Sequence, residues 1–279
     1  MKPRYPDFDF STFRVHWAEV PEFAQRYNAL STVPAHIEPY LVKVMIRARK
    51  TLPAGEQALL RDVDVFIKQE NQHCKQHIAF NKMLHDNGYE GLKPLEATYK
   101  ADYEDFLANR SLKFNLAYCE GFEAMGSAGA ENLFVDLKAF WDGADSVAVE
   151  LWKWHLAEEF EHREVCFQVF RALYCRTWWQ RIVNGYFYRV YGLIRALGHI
   201  GGHSARCIEY LIGEDRKRMT EEQLAASLDR EERLKKALGK AYRTKTLKMF
   251  SPFYDPGKKA IPPGLEAVLA AIPDSRGAA

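Results

Sequence analysis

The sequence predicts an all-α fold, a four-helix bundle with additional C-terminal helices. Three observations carry this expectation. The composition reads as helical almost throughout, and no Val/Ile/Thr alternation of the strand type persists for more than a few residues. Turn-forming residues come in clusters between long uninterrupted stretches, as in Leu52-Pro53-Ala54-Gly55, Asn87-Gly88 and Asp142-Gly143-Ala144-Asp145. At 279 residues and 47% hydrophobic, the chain can bury a sizeable core.

The elements follow in order. Residues 1–20 form an extended, aromatic-rich lead. A first helical region covers 21–50, with Pro34 and Pro39 expected to bend or restart it. A second covers 56–85 and stops at Asn87-Gly88. A third covers 95–125, is weakened at Gly126-Ser127-Ala128-Gly129, and resumes to Trp141. A fourth runs from Ser146 to Tyr174. Residues 177–203 interleave aromatics and leucines with Arg181, Arg189 and Arg195. Residues 214–248 form a highly charged helix, and SPFYDPGKKAIPPG is a Pro/Gly-rich extended segment before a short final turn of helix. The expected organisation is an N-terminal extension (1–20), the bundle (21–175) and a C-terminal helical extension packing on it (176–279).

The net charge of +2 removes the electrostatic case for a nucleic-acid partner. MKPRYPDFDF has no apolar signal core, and no stretch of 18 uncharged apolar residues exists. Cys74, Cys119, Cys166, Cys175 and Cys207 are scattered and make neither a disulfide framework nor a zinc pattern. The expected setting is cytoplasmic.

Two Glu-x-x-His motifs stand on two long helices: Glu70-Asn71-Gln72-His73 and Glu159-Phe160-Glu161-His162. Residues three apart project from one helix face. A lone copy is as well explained by a surface ion pair. Each of these copies, however, follows a helix with a carboxylate in a mostly apolar setting, Glu38 in AHIEPYLV and Glu120 in NLAYCEGFEAM. The chain order Glu, ExxH, Glu, ExxH is the one by which ferritin-like four-helix bundles hold two iron or manganese ions. Carboxylates suit hard or borderline cations and imidazole suits iron. The predicted metal ligands are Glu38, Glu70, His73, Glu120, His155, Glu159 and His162. His77 and Glu123 are expected to hold ligands in place or to bind metal themselves. Glu120 is set ahead of Glu123 because Tyr118 and Phe122 flank it. Glu158 and Glu161 are read as surface charges paired with Arg163 or Lys153, and His36 as a local cap or surface group.

Helix lengths give a check. Glu38 and Glu70 lie about 14 and about 15 residues from their shared turn, so they meet at one level at about 1.5 Å per residue. Glu120 lies about 22 residues before the Asp142 turn, whereas Glu159 lies about 14 after it, so a straight third helix carries Glu120 too deep. The excess is expected to be absorbed at Gly126–Gly129.

The stretches YNALSTVPAHIEPYL, FIKQENQHCKQHIAFNKML, AYCEGFEAM and LWKWHLAEEFEHREVCFQVFRALY resemble a family known as predicted metal-dependent hydrolases. The resemblance covers roughly residues 25–175, with an echo in SPFYDP. The positions matching its motifs are Glu38, Glu70, His73, His77, Glu120, His155, Glu159 and His162. Ile37 stands where the family carries a glycine. The run His155-x-x-x-Glu159-x-x-His162 is also similar to the histidine-enriched helix of di-iron arylamine N-oxygenases. Carboxylate-rich sites with two ExxH motifs in a ferritin-like bundle more often activate dioxygen, and this similarity also favours redox chemistry, so the expected function is a di-iron oxidoreductase, activating dioxygen to oxidise a small hydrophobic or aromatic substrate. Its cofactor would be two iron ions, with manganese or zinc as other occupants. The chain has no nucleotide-binding glycine motif, so electrons would come from an external donor acting as partner or from the substrate itself. The first alternative is a two-metal hydrolase using metal-activated water. The second is a non-catalytic iron-handling or interaction protein.

Phe66, Phe80, Phe114, Phe122, Trp152 and Phe160 would either line a substrate pocket or pack the core. Segment 177–203 would make peripheral membrane contact, cover a tunnel, or pack against the bundle or a second copy. A homodimer is expected.

Overall fold

The computed structural model describes residues 1–144 and 147–274. Asp145 and Ser146, expected in the last turn and at the start of the fourth helix, lie outside the described residues. Among the described residues the fold is all-α, without a strand. Its helices are α1 (Pro21–Leu30), α2 (Pro34–Arg49), α3 (Gln57–Asp86), α4 (Leu92–Asn109), α5 (Leu112–Glu131), α6 (Lys138–Trp141) and α7 (Val147–Glu161). They continue with α8 (Val165–Tyr174), α9 (Trp178–Ile182), α10 (Arg189–Arg216), α11 (Glu221–Met249) and α12 (Leu265–Ala271).

Proline at the first position starts both α1 and α2, where its missing N–H costs nothing. Pro39 was expected to bend or restart the first region, yet α2 runs through it. Proline there leaves the carbonyl of Ala35 without its helical donor. The Cys74 thiol on α3 takes that place, donating to Ala35 O at 3.7 Å. α3 ends as expected, with Gly88 at φ 97°.

Three boundaries differ from the sequence reading. The third region is two helices, because the Ser111 hydroxyl caps α5 by accepting from Phe114 N. The Gly126–Gly129 stretch does not interrupt α5, and the irregularity comes later, as a π-helical turn over Asn132–Asp136. Those glycines instead let α5 approach α7. A Cβ on Gly126 would collide with Glu159 Oε2, and one on Gly129 would lie 3.2 Å from Leu156 Cδ2. The fourth region is also split, between α7 and α8, just beyond His162.

α2 packs along α3, and α5 packs on α7, α8 and α10. Among the described residues two large apolar cores result, beside a small third cluster of Ala124, Ala128, Leu193 and Met249. One joins Ile37, Leu41, Val63, Phe66, Tyr118 and Phe170 with Ala196 and Ile200 of α10. The other joins Trp141, Trp154 and Phe160 with Leu211, Leu234 and Leu269. Both cores draw on residues from either side of residue 175. The N-terminal lead is tied to the last helix by Arg4 Nε to Leu269 O (2.9 Å), and to the residues just after it by Tyr5 N to Pro273 O (3.0 Å) and Lys2 Nζ to Asp274 (2.7 Å). Segment 177–203 divides: its α10 part packs on α5 with Leu193, Ala196 and Ile200 buried, whereas Trp178, Trp179 and Phe187 before it are each more than half exposed. No described helix is long and apolar enough to cross a membrane.

Candidate metal centre

Four helices bring their polar groups to one point between the cores. α2 contributes Glu38, α3 contributes Glu70 and His73, α5 contributes Glu123, and α7 with its C-terminal end contributes His155, Glu159 and His162. All seven side chains are buried. Two sets of ligand atoms lie within 4.8 Å of one another: Glu38, His73, His155 and Glu159 in one, Glu70, Glu159 and His162 in the other. Glu159 is common to both. Its Oε1 lies 3.2 Å from His155 Nε2, 3.7 Å from His162 Nε2 and 3.8 Å from His73 Nδ1. Glu123 adjoins the second set, with Oε2 3.3 Å from His162 Nε2.

Each histidine is oriented from outside the cluster. Ser31 Oγ donates its single proton to Asn81 Oδ1 at 2.7 Å, so it accepts from His77 Nδ1 at 2.8 Å. His77 Nε2 then accepts from His155 Nδ1 at 2.6 Å, which leaves the lone pair of His155 Nε2 facing Glu38 and Glu159. His73 Nε2 donates to Glu158 Oε2 at 3.0 Å, turning the bare Nδ1 inward. His162 Nδ1 donates to Gln69 Oε1 at 3.2 Å, turning Nε2 inward. Outer partners of this kind set the tautomer and aim of metal-binding imidazoles. The apolar wall completes the enclosure: Phe66 stands edge-on to His162 and Trp154 edge-on to His73.

The electrostatics point the same way. Burial, then the neighbouring carboxylates, hold Glu38, Glu70 and Glu123 well above the ordinary carboxylate range. Burial, then His155, holds His73 and His77 well below the ordinary histidine range, so both rings are neutral. Neutral imidazole is the ligand form. Both oxygens of Glu38, Glu70, Glu123 and Glu159 lack a hydrogen-bond partner, as do His73 Nδ1 and His162 Nε2. Buried polar atoms without partners are costly. A cation among them removes that cost, and a donor set of carboxylate oxygen and imidazole nitrogen fits a metal ion.

Several expectations are corrected. Glu120 was set ahead of Glu123, but the structure reverses their places. Glu120 faces α10, where Arg189 Nη1 reaches its Oε1 at 3.2 Å, and burial still pushes its carboxyl up to about 6. α10 lies that close because Gly121 and Gly192 admit it: a Cβ on Gly192 would fall 2.5 Å from the Ala117 backbone. Glu158 and Glu161 are not surface charges paired with Arg163 or Lys153. Arg4 Nη1 reaches both, Glu158 Oε1 at 2.8 Å and Glu161 Oε2 at 2.9 Å, and Glu158 is fully buried. Burial outweighs Arg4 and takes Glu158 up to about 7. The helical phase contained a signal for Glu158, which is three residues after His155 and four before His162. Nothing in the sequence pointed to Arg4. His36 stands apart from the cluster, 3.3 Å from Glu96.

One family model, described as predicted metal-dependent hydrolase, matches residues 2–260. No curated protein and no solved structure matches the chain. The family match corrects the expectation of a di-iron oxidoreductase. That expectation rested on the paired ExxH motifs of a ferritin-like bundle and on the likeness of a single helix, whereas the match spans α1 to α11 and carries a hydrolytic description. It favours the hydrolytic alternative. With nearly its whole length matched, the chain belongs to the family of predicted metal-dependent hydrolases.

Proposed function

We propose that the chain is a two-metal hydrolase. The observation that supports this most is the convergence of three outward-anchored imidazoles on four buried carboxylates without partners. Glu38, His73 and His155 would hold one ion, Glu70, Glu123 and His162 the other, and Glu159 would bridge them. Four carboxylates balance two divalent cations with neutral histidines. Ions bound there would supply Lewis acidity, lowering the pKa of water and polarising a carbonyl or phosphoryl oxygen.

The protein's own groups set the conditions. Glu158, Gln69 and His77 keep the three rings aimed inward, so the site needs little rearrangement on loading. Phe66 and Trp154 exclude bulk water from two sides, which strengthens each electrostatic contact inside.

The test is elemental analysis of the purified protein, followed by turnover of a panel of esters, amides and phosphoesters. Hydrolysis that is lost on chelation and restored by a divalent ion is expected. A protein without stoichiometric metal, or a loaded protein that turns over nothing in the panel, overturns the reading.

A further inference from the structure

A cavity of about 290 Å³ opens beside the metal centre, between α1, α5, α7 and α11. His155 and Glu159 line its inner side, and Phe122, Met125, Leu156 and Leu238 form much of its apolar wall. Arg26 lines it as well. Arg26 also lines a second, more polar cavity of about 490 Å³ with Glu209, Arg216, Glu231 and Lys235. The guanidinium therefore stands where the apolar space gives way to the charged outer one.

Arg26 differs from the other arginines near the centre. Arg4 and Arg189 are buried and have carboxylate partners. Arg26 has a buried Nε without a hydrogen-bond partner, and no described carboxylate forms an ion pair with it. The acid that acts on it most, Glu231, is engaged at 2.8 Å by Arg216 and at 2.7 Å by Lys235. A half-buried cation without a partner is costly, and a planar guanidinium is suited to bind a carboxylate with two parallel bonds.

We propose that this cavity is the substrate site, and that it takes an acyl ester or amide with an apolar body and a carboxylate at the far end, held by Arg26. The proposal rests on the hydrolytic reading above. The scissile carbonyl lies toward His155 and Glu159, the methylene chain along Phe122, Met125 and Leu238, and the carboxylate at Arg26. At ~30 Å³ per water-sized group, the space suits on the order of ten non-hydrogen atoms. The step balances with water alone. Its hydroxyl forms the new bond to the acyl carbon, the C–O or C–N bond breaks, and the alcohol or amine leaves with the proton.

Binding and turnover test it separately. Calorimetry on the metal-loaded protein measures octanoate against 1-octanol as a neutral match. Arg26→Ala is expected to weaken octanoate at least tenfold and to leave octanol within twofold, while Arg26→Lys recovers most of the loss. Met125→Trp, which fills the cavity, weakens both, and Leu238→Trp on a different helix does the same if Met125→Trp misfolds. Octanoate affinity that is indifferent to Arg26→Ala overturns the proposal. In the turnover arm, the monoethyl ester of suberic acid is compared with ethyl octanoate. Arg26→Ala should raise KM for the first at least tenfold with kcat little changed, and should spare the second. Monoester hydrolysis with an unchanged KM in Arg26→Ala sinks the substrate assignment alone. Arg26-dependent octanoate binding without hydrolysis of any ester sinks the hydrolytic reading alone.

Discussion

Arg4→Met separates the role of Arg4 in the metal centre from simple packing. The wild-type guanidinium contacts Glu158 at 2.8 Å and Glu161 at 2.9 and 3.1 Å, and it donates to Leu269 O at 2.9 Å. Arg4 and Glu158 have at most 4% of their side chains exposed. Removing one partner of a buried ion pair costs about 3–5 kcal/mol. The low end applies here, because Glu158 already titrates at about 7 and can take a proton in place of its lost partner. A loss of about 3 kcal/mol lowers Tm by roughly 6–12 °C for a chain of this size. A protonated Glu158 is also a poorer acceptor for His73 Nε2, so metal affinity should fall by about 10–100-fold. Arg4→Lys keeps the charge without the fork and should recover part of both losses. Thermal unfolding with and without chelator reads the first effect, and competition with a chromophoric chelator reads the second. A lowered Tm with metal affinity within twofold of wild type would refute the link from Arg4 through Glu158 to His73.

Three further outcomes are expected. Glu123→Gln should lower the metal content by one ion per chain, whereas Glu120→Gln, which alters only the contact with Arg189, should leave it unchanged; elemental analysis of both proteins decides. Gly126→Ala should lower metal-free stability by about 1–3 kcal/mol, because the added methyl overpacks against buried Glu159, and should weaken metal binding on the order of tenfold by displacing that carboxylate. His203 is buried, bonded to Thr32 Oγ1 at 2.8 Å and stacked on Tyr99, and burial lowers its pKa to about 3. Its folded pKa lies below its unfolded value of 6.5, so its contribution is complete above pH 6.5 and is lost as pH falls toward 3. The loss reaches about 2 kcal/mol at pH 5. Urea titrations from pH 7 to 4 should show this slope, and His203→Asn should flatten it.

Much of the centre was legible because ligand spacing on a helix is local. Glu70 and His73, or His155, Glu159 and His162, fall on one face by periodicity alone, and the structure brings those faces together. The choice between Glu120 and Glu123 was not local. It depended on where Ser111 starts α5, on a π-helical turn over Asn132–Asp136, and on α10 arriving with Arg189. Pro39 was misjudged for a related reason, since the thiol that compensates it belongs to another helix. Gly126 was read as a weak point of its own helix, and its purpose became visible only once Glu159 lay across from it. Arg26 carried no sequence signal, because an arginine without a partner looks like any other arginine until its surroundings are known.

The tie between the N-terminal lead and α12 has a consequence in time. Synthesis runs from the N-terminus, and the candidate ligands from Glu38 to His162 all emerge well before residue 269. The backbone oxygen that steadies Arg4 Nε belongs to Leu269, and the next strand of the tie to Pro273. A nascent chain can therefore gather its ligand helices long before the arginine behind Glu158 has its final anchor. In that interval His73 has behind it a Glu158 whose arginine is not yet fixed from the other side.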